Sequence, residues 1–210
     1  MPNYVTTILR IEGTDAQIEA VKNHIKGEDT AFDFNKVIPM PAALNIECST
    51  RGQQGVDILF CRENKITKAM TAECRKEAVA LGLAYIENTE MYGFPTWYEW
   101  CRAKWGTKWN ACEVEDLGDA IKFETAWNFP RPVIIELSKM FPDVILSFDY
   151  ADEAAGHNTG EGTIQAGEFI SEYYPQDGGT EAMRVYLITH EGAEEDWELL
   201  HDGTYKYKGD

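Results

Sequence analysis

The side chains able to do acid–base, metal or nucleophilic chemistry in this chain are four histidines, five cysteines and a large surplus of carboxylates. His24 falls on an amphipathic segment, where a lone histidine reads as a packing residue rather than a ligand or base. His190-Glu191 with His201-Asp202 is the one grouping of metal-ligand type, but its spacing matches no HExxH-like motif that sets two imidazoles on one helix face. His157 stands apart from both. Cys48, Cys61, Cys74, Cys101 and Cys112 are odd in number and contain no CxxC pair, so neither a disulfide framework nor a zinc site is indicated. Cys101 lies among tryptophans and lacks the exposed, cationic surroundings that turn a thiol into a nucleophile. No GxSxG elbow frames a serine, no glycine-rich stretch runs into Lys-Ser/Thr, and no GxGxxG joins a strand to a helix. The sequence therefore assigns no catalytic residue, no metal ligand and no cofactor.

The carboxylates carry more information through where they lie than through their number. Net charge is −17. Residues 1–110 hold 14 acidic and 13 basic side chains, whereas residues 111–210 hold 22 and 6, so the imbalance belongs to the second half. Between Asp149 and Asp202 there are fourteen acids and a single base, Arg184. Such a surface repels phosphate, which argues against direct nucleic-acid binding, and attracts a basic partner. Asp152, Glu153, Glu161, Glu168, Glu172, Asp177, Glu194, Glu195 and Asp196 are the candidate partner contacts. A merely solvated acidic face is the competing reading.

The elements that must position these groups centre on GFPTWYEWCRAKWGTKWNACEVE, residues 93–115, which holds Trp97, Trp100, Trp105 and Trp109. Trp97, Trp100, Cys101 and Trp105 recur at the spacing of one helix face, and Gly106 supplies a stop. The four indoles are expected to form an aromatic core. Before them, Tyr4 to Ile11 predicts a strand, residues 14–26 a helix, and residues 31–38 a second strand closed by Pro39 and Pro41. Residues 42–92 begin with a short apolar run, a polar glycine-rich loop that includes Gly52 and Gly55, and a second apolar run at Val56 to Cys61, and Ile66 to Leu81 predicts a helix ended by Gly82. After them come a hairpin over 112–126 about Gly118-Asp119, a helix over 130–141 with prolines confined to its first turn, and a strand over 143–150. Hairpin-like material at 162–174, a helix at 180–190 and a last hairpin about Asp202-Gly203 complete the chain. A 44% hydrophobic content suits a globular protein, and neither a membrane-spanning run nor a secretory leader is visible, so a cytoplasmic location is expected.

The order of these elements is the split β-α-β pattern of a ferredoxin-like α+β fold. FDFNKVIPMP at 32–41, WYEWCRAKWGTKWNA at 97–111 and FETAWNFPRPVIIELSKMFPDVILSFDY at 123–150 resemble the YubB-type ferredoxin-like family of phages and plasmids. The resemblance covers about two thirds of the chain. It implies a ferredoxin-like sheet without an iron–sulfur cluster and an origin in a mobile element, and it brings no reaction and no catalytic residues. The expected organisation is a ferredoxin-like domain over 1–150 with a helical insert at 39–111, then an acidic C-terminal extension over 151–210.

The aromatic and basic string that an RNA-recognition sheet carries on its central strands is absent. Two functional expectations follow. The first is a non-enzymatic accessory protein that binds a basic host protein through its acidic half, with imitation of DNA phosphates as its sharper form. The alternative is an enzyme or small-ligand protein with a pocket between the sheet and the tryptophan helix, using His190 or His201 as base or ligand.

Overall fold

The computed structural model describes residues 3–209. In chain order the elements are β1 (Tyr4–Glu12), α1 (Asp15–Ile25), α2 (Thr50–Leu59), α3 (Lys65–Lys68), α4 (Ala72–Tyr92), α5 (Trp97–Lys104), β2 (Cys112–Asp116) and β3 (Ala120–Ala126). They continue as α6 (Arg131–Met140), β4 (Ile145–Asp152), β5 (Gly160–Gln165), β6 (Glu168–Tyr173), α7 (Thr180–Thr189), β7 (Trp197–Leu199) and β8 (Tyr205–Tyr207). Two compact units result, one from the residues up to Pro39 together with those from Lys104 onward, the other from Met40–Ala103.

The first unit is built on a six-stranded sheet in the order β2-β3-β1-β4-β5-β6, with every neighbouring pair antiparallel. β1 lies between β3 and β4, which α6 connects, and β3 lies between β1 and β2, which α1 and the following segment connect. That double split is the ferredoxin-like arrangement. The sheet then continues past β4 into β5 and β6, and Asp149 of β4 stands opposite Glu161 of β5.

Side-chain alternation decides the faces. In β1, Val5, Thr7, Leu9 and Ile11 are almost fully buried on one side. Leu9 stands opposite Ile121 of β3 and Phe148 of β4, so the same face continues across three strands. Phe129, just ahead of α6, stacks on Phe148 and Tyr150 at centroid distances of 4.5 and 4.7 Å, placing α6 over this face. α1 begins with a capping box between Thr14 and Gln17 and buries Val21 and Ile25. Its His24 meets Phe141, at the end of α6, edge-on at 5.5 Å. Thr6, Ile8 and Arg10 point to the other face, where α7 lies: His190 Nε2 is 3.3 Å from Thr6 Oγ1, and Arg184 donates to Glu161 at 2.6 Å.

Residues 31–38 do not form the expected strand. They make a single 3-10 turn at Phe34–Lys36, because the Asp33 side chain accepts from the Asn35 amide and closes the backbone locally. Phe32 and Phe34 are nonetheless fully buried: each meets Phe123 of β3 edge-on, at 5.1 and 6.1 Å. The apolar alternation was a sign of burial, which a turn satisfies as well as a strand. The edge-strand position next to β3 is taken by β2, whose Glu113, Glu115 and Asp116 are exposed as suits a sheet edge that must not pair further.

The second unit is helical. α2 and α4 pack backbone to backbone, since a Cβ added to Gly55 would lie 1.8 Å from the Ala78 carbonyl oxygen and one on Gly82 would lie 2.5 Å from the Gly55 carbonyl carbon. The glycines at 52–55 are therefore inside a helix rather than in a loop. Ile66 to Leu81 is likewise not one helix: α3 starts on an Asn64 capping box, α4 restarts on Thr71, and it runs through Gly82 to Gly93, whose φ of +79° ends it. α5 buries Trp100 and Cys101. It ends at Lys104, and Gly106, at φ +79°, is the expected stop.

Candidate functional site

Trp97 and Trp100 belong to the helical unit; Trp105 and Trp109 belong to the sheet unit. Trp105 is buried, donates its indole Nε1–H to the Ile38 carbonyl at 2.9 Å and meets Phe34 edge-on at 5.7 Å. Trp109 is half-buried and carries Lys108 Nζ at 4.6 Å over its ring, with Trp127 on the same ammonium at 5.1 Å. That cation is thus held by two indole faces. Cys101 is buried, which pushes its thiol up to about 12 and keeps it protonated.

The nine candidate carboxylates divide by what holds them. Asp152 is buried at the end of β4 and accepts from Asn3 Nδ2 and the Ala154 amide, so its charge is used internally. Glu161 is paired with Arg184 at 2.6 Å, and Glu172 takes the Arg131 guanidinium and the Tyr174 hydroxyl. The bond to Arg131 holds the Glu172 carboxyl below its ordinary range. Asp177 is exposed, accepts from the Asn158 amide and lies 3.5 Å from His157 Nδ1. Glu153, Glu168, Glu194, Glu195 and Asp196 are exposed, and no cationic side chain among the described residues lies within 4 Å of them. Lys208 reaches the last group, but it donates to the backbone carbonyls of Glu194 and Glu195 at 3.2 and 2.9 Å. The negative field spreads onto the sheet edge: burial raises the Glu124 carboxyl, and repulsion from Glu113 and Glu153 raises it further.

The other face of the sheet holds ion pairs that sequence reading missed. Arg10 pairs with Asp149 on the neighbouring strand, and both line a shallow cavity of about 340 Å³ with Glu161. A second cavity of about 450 Å³ lies between Ile8, Lys122 and the Arg184, Leu187 and Glu191 side of α7. Arg10 and Arg184 are both neutralised by carboxylates, and Lys122 shares the second cavity with Glu191 and Glu194, so neither cavity presents a net cationic anchor. Period-two spacing could have flagged Ile8 and Arg10 as cofacial, but nothing in sequence gives the strand that faces them.

His190 is half-buried at the end of α7. Its ring stacks on Tyr186 at 4.3 Å, Nδ1 lies 3.2 Å from the Tyr186 carbonyl, and Nε2 lies against Thr6. Nδ1 also lies 3.0 Å from Thr189 Oγ1, so both ring nitrogens of His190 have polar partners. Burial lowers its pKa below the ordinary 6.5; the Tyr186 carbonyl opposes this, Lys122 adds to the lowering, and Asp152 and Glu153 oppose it. The fold therefore favours neutral His190, and the stability this contributes is complete above pH 6.5 and lost as pH falls through the folded-state value. His190→Gln keeps the hydrogen-bonding capacity without the charge. Its urea midpoint is expected to fall less steeply than that of the parent protein between about pH 7 and 5; parallel profiles would exclude this linkage. His201 is exposed in the β7–β8 turn. Among the described residues no three His, Cys, Asp or Glu side chains are grouped to hold a metal ion, and no helix is long and apolar enough to cross a membrane.

The sheet order and the helices on it define an α+β ferredoxin-like protein. Residues 104–199 match the family model described as the ferredoxin-like domain in Api92-like protein, a span running from the end of α5 through β7. The crystal structure of a protein api92 from Yersinia pseudotuberculosis is similar at 8% identity with a TM-score of 0.44, covering 85% of this chain and 100% of that one. Comparison with the curated proteins finds no match.

Proposed function

We propose that the protein is a non-enzymatic accessory protein of a phage or plasmid, acting in the host cytoplasm, where its acidic C-terminal half occupies a basic surface of a host protein. The observation that carries this reading is the exposed set Glu153, Glu168, Glu194, Glu195 and Asp196, carboxylates that the protein leaves without cationic side-chain partners among the described residues. Internal ion pairs consume the charge of Glu161, Glu172 and Asp149. The remaining excess has no structural use and costs self-repulsion, which a basic partner would relieve. The resemblance to YubB-type sequences supports the mobile-element origin. A partner that normally holds nucleic acid fits the chemistry best, because its groove already accommodates closely spaced negative charge.

The test is a pull-down from nuclease-treated host lysate with the parent protein and with a Glu168→Lys, Glu194→Lys, Glu195→Lys variant. The parent is expected to retain a basic protein that is released by added DNA or by raising salt, since exposed charges are screened beyond about 10 Å at 0.1 M. The variant is expected to lose it, whereas Glu19→Lys, Glu28→Lys, Asp29→Lys keeps it. Equal retention by both variants would sink the proposal.

A further inference from the structure

A cavity of about 750 Å³ opens within the helical unit between α2, α4 and the start of α5. Its volume is in the range of small-molecule sites, roughly 300–1,000 Å³. Val56, Phe60, Ile86, Pro95 and the ring of Tyr85 supply apolar walls. The close approach of Gly55 to Gly82 fixes how the two helices diverge from their contact. Tyr85 is itself anchored: its hydroxyl donates to the Glu47 carbonyl at 2.7 Å and accepts from the Ser49 amide at 3.0 Å. A wall positioned by two backbone hydrogen bonds is pre-organised for an occupant.

The charges around this cavity are of one sign. Glu90 and Glu99 line it, and no lysine or arginine does. Thr96 Oγ1 donates to Glu99 Oε2 at 2.6 Å, which fixes the direction of that carboxylate. The Tyr85 phenol is raised chiefly by burial; the Ser49 amide opposes this, and the carboxylates of Glu99 and Glu47 raise it further, so their negative potential reaches the wall. Of the nearby cations, Arg51 is paired with Glu77 at 3.0 Å, and Arg62, whose guanidinium lies 5.2 Å from the centroid of the Phe60 ring, is paired with Asp57 at 3.6 Å. The N-terminus of α2 opposes this field with about half a positive charge, less than two full carboxylates.

We propose that this cavity binds a small organic cation, an amine or guanidinium carried on an aromatic or branched aliphatic body, with the body between Val56, Phe60 and Ile86 and the cation at Glu90 and Glu99. The proposal is independent of the acidic surface in the other unit.

The probes are tryptamine, neutral indole and the anion indole-3-propionate, titrated calorimetrically into the full chain. Tryptamine is expected to bind saturably below about 1 mM, more tightly than indole, and indole-3-propionate not at all. Glu90→Gln with Glu99→Gln keeps the acceptor for Thr96 and is expected to weaken tryptamine at least about tenfold, the scale of a lost charge-assisted contact, while leaving indole within about twofold. Exposed Cys48 lines the cavity. In a Cys61→Ser, Cys74→Ser background, tryptamine is therefore expected to slow its labelling by a maleimide. Tighter binding of the acid, full tryptamine affinity in the double glutamine variant, unprotected Cys48, or no saturable tryptamine binding would each overturn the proposal.

Discussion

Phe123→Ala is expected to destabilise the sheet unit by about 3–5 kcal/mol, the range for truncating a buried phenylalanine. Phe123 is fully buried in β3, and both Phe32 and Phe34 present ring edges to it. Those two rings also meet each other at 5.0 Å, and Phe34 continues the contact to Trp105. Removing the central ring leaves a void bounded by one strand and one tight turn. β3 is held on both sides by β1 and β2, so it cannot collapse into the void cheaply. Urea unfolding followed by tryptophan fluorescence measures the loss. Phe34→Ala combined with Phe123→Ala should cost less than the two single changes summed, because the second truncation removes contacts already lost. A loss below about 1 kcal/mol, the scale of an ordinary point mutation, would mean that residues 31–38 are not packed on the sheet as described.

That cluster also marks where sequence reading succeeds and fails. Strand alternation in β1, proline placement at α6 and the glycine turn between β2 and β3 are local signals, and the elements they predict are present with small boundary shifts. At 31–38 the same alternation misleads, because burial of Phe32 and Phe34 comes from β3, about ninety residues along the chain, and Asp33 closes the turn. At 97–106 the helix and its glycine stop are legible, but the partners of Trp105, the Phe34 ring and the Ile38 carbonyl, are not, because both lie far earlier in the chain. The charge division was legible by counting, but which carboxylates are free was not. Asp152 and Glu161 look equivalent to Glu153 and Glu168 in sequence, and differ because Asn3 and Arg184 reach the former pair. The cavity in the helical unit was hidden for another reason. Gly52 and Gly55 are poor helix formers by propensity, and only packing against Tyr85 and Ala78 explains them.

Gly55→Ala is expected to cost more than about 3 kcal/mol in the helical unit, beyond the usual penalty of overpacking. The reason lies in what the added methyl meets. At Gly52 it would strike the Tyr85 ring at 2.2 Å, and a side chain can turn aside; at Gly55 it would strike the Ala78 carbonyl oxygen at 1.8 Å, and backbone within a helix cannot. Relief requires α2 to move away from α4, which opens the contact along both helices. Helix propensity acts in the opposite direction, since alanine is favoured over glycine by about 1 kcal/mol, so a destabilised variant would show that the close approach dominates. Gly93→Ala provides the contrast: its φ is +79° but nothing lies within 4 Å of the added methyl, and the left-handed backbone alone costs about 1–2 kcal/mol. Hydrogen exchange read on peptides from 50–59 and 72–92 should show large loss of protection in Gly55→Ala and a small, terminal loss in Gly93→Ala. Because Val56 and Ile86 flank the same contact, Gly55→Ala should also abolish tryptamine binding. Unchanged protection over both helices would mean that α2 and α4 are farther apart than this packing requires.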